Sequence, residues 1–192
     1  MRRRRDSRLN ERKLLLIWRE LFNCRKKRKS INLKLLEITE ENFWDVIQLK
    51  SDKVQEKRIQ IFERWVGSNA FFLGACQVYN FTPKAIYDNL TLLGFTSYGY
   101  RKEHERYELI SIMLGHQYQR KGYGVPALQA VIAEMSERYK CKEIYLSVIH
   151  DNEPAKRIYE KVGFKATGEI EKGHHDELVY CLKLANNSAS LV

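Results

Sequence analysis

The chain has 192 residues, 44% hydrophobic and 30% charged, with 34 Lys and Arg against 24 Asp and Glu, which is room for one ordinary domain with its own core. The excess charge is local: residues 1–30 hold 13 Lys and Arg against 3 Asp and Glu, leaving 21 of each elsewhere, so the neutral body argues against a dedicated nucleic-acid-binding fold. Cys24, Cys76, Cys141 and Cys181 form no C-x-x-C pair, no apolar run approaches the roughly 20 residues that span a bilayer, and Leu14-Leu15-Leu16-Ile17-Trp18 is too short for a leader core. A cytoplasmic protein with reduced thiols and no metal is expected.

In chain order, residues 1–30 read as a basic extension, either disordered or carrying a short amphipathic helix over 11–22. From Ile31 the apolar residues Ile31, Leu33 and Leu35 alternate, a first strand. Thr39-Glu40-Glu41-Asn42 then caps a helix through Phe43, Val46, Ile47 and Leu49, and a second helix is expected over 52–66. Residues 67–82 show no usable period. Segments 83–88 and 92–100 form a hairpin turning at Asn89, and after a charged loop a strand covers 107–114. A helix from about Gly122 places Val125, Leu128, Ile132, Met135 and Tyr139 on one face, with Pro126 harmless in its first turn. A strand with Ile144, Leu146 and Val148 follows, then a short helix over 154–162 ending at Gly163, two strands over 165–170 and 178–184, and a polar tail over 186–192.

Between strand 107–114 and the long helix lies Gln119-Arg120-Lys121-Gly122-Tyr123-Gly124. Strand, glycine-bearing turn and helix together form an anion cradle: backbone N–H groups of the first helical turn point at a ligand that glycine lets approach. Arg120 and Lys121 add charge, so a pyrophosphate is the expected occupant. The pattern is neither the P-loop G-x-x-x-x-G-K-[ST] nor the dinucleotide G-x-G-x-x-G, which disfavours ATP hydrolysis and NAD binding.

A second motif follows, Asn152-Glu153-Pro154-Ala155-Lys156-Arg157-Ile158-Tyr159-Glu160-Lys161-Val162-Gly163-Phe164. With residues 119–124 it resembles the GNAT acetyltransferase superfamily, and its N-E-P-A-x-x-x-Y-x-x-x-G-F form, with the run 139–147, is similar to the diamine and polyamine N-acetyltransferase branch. The resemblance covers 31–185 as the catalytic domain. It implies a single-domain α/β (α+β) fold, with a mixed central sheet of about six to seven strands, about four flanking helices, and two splayed strands that bind acetyl-CoA. By that resemblance the pyrophosphate lies on Gln119, Arg120, Lys121, Gly122, Tyr123, Gly124 and Val125. The pantetheine arm pairs with Ile112, Met113 and Leu114, where an amide, that of Ile112, faces the thioester oxygen, and Asn152 and Ala155 stand across the cleft.

An alkyl amine of pKa near 10.4 is protonated at pH 7, and freeing it costs about 4 to 5 kcal/mol, so a base or water relay is required. Glu108 occupies the strand position where some superfamily members carry a catalytic glutamate, although Ile110 stands where polyamine-type relatives often have an acid. Tyr159, by the resemblance, protonates the departing thiolate; a Tyr beside Ile158 can also simply pack on a sheet. The expected activity is acetyl-CoA-dependent N-acetylation of a small-molecule primary amine, a diamine or polyamine in first place. The alternatives are another amine (aminoglycoside, amino acid or protein N-terminus) or a non-catalytic acetyl-CoA-binding module. Expected partners are the amine, polyanions met non-specifically by the basic extension, and a second copy as a homodimer.

Overall fold

The computed structural model describes residues 31–51, 68–173 and 176–184; the helices expected within 11–22 and 52–66, the turn at His174 and His175, and the tail lie outside them. In chain order the elements are β1 (Leu33–Leu36), α1 (Phe43–Gln48), α2 (Asn69–Tyr79), β2 (Thr82–Asp88), β3 (Thr91–Arg101), β4 (Arg106–Leu114), a 3-10 turn (His116–Tyr118), α3 (Gly124–Tyr139), β5 (Glu143–Ile149), α4 (Glu153–Val162), β6 (Lys165–Glu171) and β7 (Glu177–Lys183). The strands form one sheet in the order β1-β2-β3-β4-β5-β7-β6. Only β4 and β5 run parallel, with α3 as the crossover between them.

Local chemistry explains most boundaries. Asn89, at φ 55, turns β2 into β3. Asn42 does not cap α1: it accepts from the Thr39 N–H and donates to the Glu37 carbonyl, tying down the preceding turn, and α1 stops at Gln48, one residue short of expectation. The unassigned stretch is α2, started by the Ser68 hydroxyl accepting from Phe71 N–H and ended by left-handed Asn80. Its sequence is apolar almost all round, so no polar face marked a period.

Two apolar layers sandwich the sheet. On one face Val46 of α1 meets Ala85 and Phe95, flanked by Phe72, Leu73 and Met113. On the other, α3 and α4 cover Tyr98, Leu109, Ile144, Leu146, Val148, Phe164 and Tyr180. The buried stripe of α3 is Ala127, Leu128, Val131 and Met135; Val125, Ile132 and Tyr139 only flank it. The stripe is rotated from the expected one because Ala127, with a single methyl, lets the helix sit close to the sheet. Each fully buried Leu or Val in this layer contributes about 1.5–3 kcal/mol. Lys84 of β2, almost buried, is held by Glu37 at 2.6 Å and by Glu134 of α3 at 3.1 Å. Burial would lower its pKa, yet the two carboxylates raise it, so it docks α3 as a cation.

One irregularity sets up the site. Ser97 of β3 pairs with Ser111 and Tyr98 with Leu109, leaving Ile110 as a surplus residue in β4. A bulge of this kind bends its strand and increases its twist. Accordingly β4 and β5 pair only at Glu108 with Tyr145 and Leu109 with Leu146. From Ile110 onward the two strands part.

Candidate active site

The parting leaves a V between β4 and β5. Along one arm run Ile112, Met113 and Leu114, still paired with Thr96, Phe95 and Gly94 of β3 but with no partner on the β5 side among the described residues. Their side chains are committed elsewhere: Ile112 packs on the α3 layer and Met113 on the α1 layer. Only backbone N–H and C=O groups are left to face the gap, an edge that an extended amide chain can complete as a further strand. Ile112, Met113 and Leu114 therefore lie in succession on that open edge.

Beyond β4 the chain turns into α3. Gln119 lies before the cradle and donates its side-chain amide to the Leu114 carbonyl at 3.0 Å, pinning the turn to the strand end. Arg120 (φ 58) and Gly122 (φ 89) adopt left-handed backbone, and Arg120, Lys121 and Gly122 are exposed. A Cβ built on Gly122 would meet no protein atom within 4 Å, so the space beside it is open to a ligand. Gly124 differs from expectation: its missing Cβ makes room for Ile158 of α4, whose Cδ1 would lie 2.7 Å away, so its smallness serves the packing of α3 on α4. Tyr123 donates its hydroxyl to Asp88 at 3.1 Å and Val125 lies in the first turn of α3, both half-buried. The helix starts at Gly124, two residues later than its pattern implied. Its free N–H groups and exposed cations can receive an anionic group.

The other arm is β5 and α4. Asn152 is the N-cap of α4, accepting from Ala155 N–H at 3.3 Å, and Gly163 (φ 112) ends the helix. Tyr159, half-buried on the α3 layer beside Phe164 and Tyr180, makes no side-chain hydrogen bond to any described residue. Burial, and then the charge of Glu177, push its phenol up to about 12. It keeps its proton through the whole physiological range.

Glu108 stands at the closed end of the V, on the face of the sheet away from α3. Its side chain is almost fully buried and receives Arg106 Nε at 2.6 Å and Arg101 at 3.1 Å, with His104 Nδ1 at 2.9 Å. Burial alone would raise its carboxyl, but the His104 and Arg106 hydrogen bonds and the Arg101 charge outweigh that and hold it below the usual carboxylate range. Arg106 continues to Glu169 and Arg101 to Glu171, both on β6, and Arg106 also stacks over the Tyr145 ring. His104, Glu108 and Glu171 offer ligand atoms within 4.8 Å of one another, with the two guanidiniums already among them. Glu108 is therefore a fixed anion in an ion-paired cluster, a surrounding that makes it a weak base.

Sequence reasoning missed one pair. Ser147 of β5 donates its hydroxyl to Glu177, the first residue of β7. Alternation along β5 could have placed Ser147 opposite the buried Leu146 and Val148, but nothing local links it to a glutamate 30 residues on.

Comparison with known proteins agrees with this geometry. The chain is 30% identical over 148 residues, 74% of its own length and 92% of the relative's, to the spermine/spermidine N(1)-acetyltransferase of Bacillus subtilis (strain 168). Among solved structures it resembles the spermidine N-acetyltransferase of Vibrio cholerae in complex with CoA and spermine, with TM-score 0.61 and 17% identity over 79% of this chain and 95% of that one. It also resembles yncA from Salmonella typhimurium with its cofactor acetyl-CoA, with TM-score 0.56 and 17% identity over 82% and 96%. At such identities those two are likenesses of fold. The profile described as the Acetyltransferase (GNAT) family matches residues 39–164, about two thirds of the chain, and with the cradle and the splayed strands in place the chain belongs to that family.

Proposed function

We propose that this chain transfers an acetyl group from acetyl-CoA to a primary amine of a small molecule, by direct attack of the amine on the thioester, and that the amine is a polyamine. The observation that carries the reading is the departure of β4 from β5 directly after Leu109, with the left-handed Arg120 to Gly122 turn opening the N-terminus of α3 beside it. The 30% identity to a spermine/spermidine N(1)-acetyltransferase favours the polyamine. On this reading the β4 edge from Ile112 to Leu114 holds the pantetheine amides, and Arg120, Lys121, Gly122 and the first turn of α3 hold the pyrophosphate. The unbonded phenol of Tyr159 supplies the proton that the leaving sulfur needs.

The test is a thiol-release assay with acetyl-CoA against spermine, spermidine, putrescine, an aminoglycoside and an amino-terminal peptide. Turnover is expected, with spermine or spermidine giving the highest kcat/KM; tight acetyl-CoA binding without turnover on any amine would overturn the reading. Tyr159→Phe deletes one hydroxyl and keeps the ring, and kcat should fall about 10²- to 10⁴-fold with acetyl-CoA affinity little changed. With a phenol at about 12, no loss of rate attributable to Tyr159 ionisation is expected between pH 8 and about 10.

A further inference from the structure

We infer that Thr96 of β3 is a positioning residue for acetyl transfer: its hydroxyl holds the Ser111–Ile112 peptide unit so that the Ile112 N–H is aimed at the thioester oxygen. The assignment rests on the acetyltransferase reading above. The ladder between β3 and β4 supplies the direction. Residues opposite each other in an antiparallel pair alternate between those whose N–H and C=O groups bond each other and those whose groups turn away. Gly115 donates its N–H to the Leu93 carbonyl at 2.8 Å, one step beyond the pairing of Gly94 with Leu114. By alternation Phe95 with Met113 and Ser97 with Ser111 are bonded pairs too, while Leu114 and Ile112 turn their N–H and C=O groups away from β3. The Leu114 carbonyl accordingly takes its hydrogen bond from elsewhere, from the Gln119 side chain. On that outer side β4 last pairs with β5 at Leu109, so the Ile112 N–H points into the gap.

The Ser111 carbonyl and the Ile112 N–H belong to one planar trans peptide unit, so they point opposite ways, the first toward β3 and the second toward the gap. Thr96, fully buried and paired with Ile112, donates its hydroxyl to that same carbonyl at 2.8 Å. The ladder already gives the carbonyl the Ser97 N–H, so the hydroxyl is an additional donor. It fixes the tilt of the peptide plane directly after the surplus Ile110, and it draws electron density toward the Ser111 oxygen, which makes the Ile112 N–H a stronger donor. During transfer the amine lone pair forms the N–C bond and the carbonyl π pair moves onto the thioester oxygen, where the Ile112 N–H meets the new charge. Collapse restores the C=O and breaks the C–S bond; one proton leaves nitrogen and one arrives at sulfur, giving an amide and a thiol. A donor aligned before that charge develops stabilises the transition state more than the bound thioester. Thr96 therefore acts on rate rather than on affinity.

The experiment follows single-turnover acetyl transfer to the amine of the panel with the highest kcat/KM, in wild type, Thr96→Val, Thr96→Ala and Thr96→Ser. Calorimetric binding of acetyl-CoA, circular dichroism and the infrared stretch of the isotope-labelled thioester carbonyl in bound acetyl-CoA accompany it. Thr96→Val keeps the shape and loses the hydroxyl. Its transfer rate should fall about tenfold, short of the roughly 10²- to 10³-fold that losing an oxyanion donor outright costs. Acetyl-CoA affinity should stay within about threefold of wild type, and the carbonyl stretch should move back toward its value in free solution. Thr96→Ser, which keeps the hydroxyl, should restore both rate and stretch. A hydroxyl that only satisfies itself on a nearby carbonyl would move neither. A Thr96→Val rate within about threefold of wild type, or a loss confined to acetyl-CoA affinity, overturns the inference while leaving the acetyltransferase reading intact. Should Thr96→Val fail to fold, the same outcomes are read from Thr96→Ala. Wild-type protein inactive on every amine overturns the inference together with the reading beneath it.

Discussion

The two ends of β4 are built on opposite plans. At its start the strand is paired on both sides, and Arg101, His104 and Arg106 close around Glu108 while reaching Glu169 and Glu171. At its finish it is paired on one side only and continues into a turn held by the Gln119 amide and two left-handed residues. The closed end spends its charges on each other and the open end leaves backbone groups for a ligand. A strand can be pried from its neighbour at one end only if the other end is fastened, and ion pairs in a nearly buried setting are a fastening that fails when any one partner is removed.

The comparison can be broken first at the closed end. Arg106→Met leaves the Glu108 carboxylate buried with a partner missing, and unfolding by urea should show a loss of about 3 kcal/mol. At the open end, Gly122→Ala places a Cβ in open space but on left-handed backbone, at a cost of about 1–2 kcal/mol. The melting temperature should fall by about 2–8 °C, and calorimetry should report acetyl-CoA affinity lowered about tenfold as the strained turn leaves its ligand-ready form. Acid sharpens the contrast. The folded Glu108 carboxyl lies below its unfolded value, so the stability it contributes is present above about pH 4.3 and is lost as pH falls through the depressed folded value. Melting temperatures followed down through that window should drop, and drop less in Arg106→Met, where the depression is smaller. The smallest effect belongs to Ile112→Val, which trims a side chain packed on the α3 layer and costs about 0.5–1.5 kcal/mol of stability, while acetyl-CoA affinity, carried there by backbone, should not move.

How much of this was legible in advance varied with how local the signal was. The turn from 119 to 124, Pro126 and left-handed Gly163 each act on their immediate neighbours, so residue type and spacing were enough to place them. The open end of β4 was expected only through the family resemblance that the turn and the 152–164 motif carry. The closed end could be read only in part: Arg106 and Glu108 sit two apart on one strand and must share a face, but Glu169 and Glu171 join them only through the sheet. Ser147 and Glu177 are likewise neighbours by strand order alone. Helix α2 escaped because its residues, apolar on every side, carry no period, and the stripe of α3 was misplaced by a fraction of a turn because Ala127 counts for little in a pattern yet decides how closely two surfaces meet.

Ile110 has a further use. Because it is surplus to the pairing of Ser97 with Ser111 and Tyr98 with Leu109, removing it would leave every other side chain of β4 on the face it now occupies. Most single deletions in a strand exchange inside for outside; this one would only straighten. A chain one residue shorter should therefore fold with its core unaltered and let β4 run on beside β5, sealing the gap. In this protein the cleft is a matter of length, one amino acid's worth, and a shortened chain that folds yet has lost acetyl-CoA affinity would measure how much of a catalyst can reside in a single residue whose side chain takes no part.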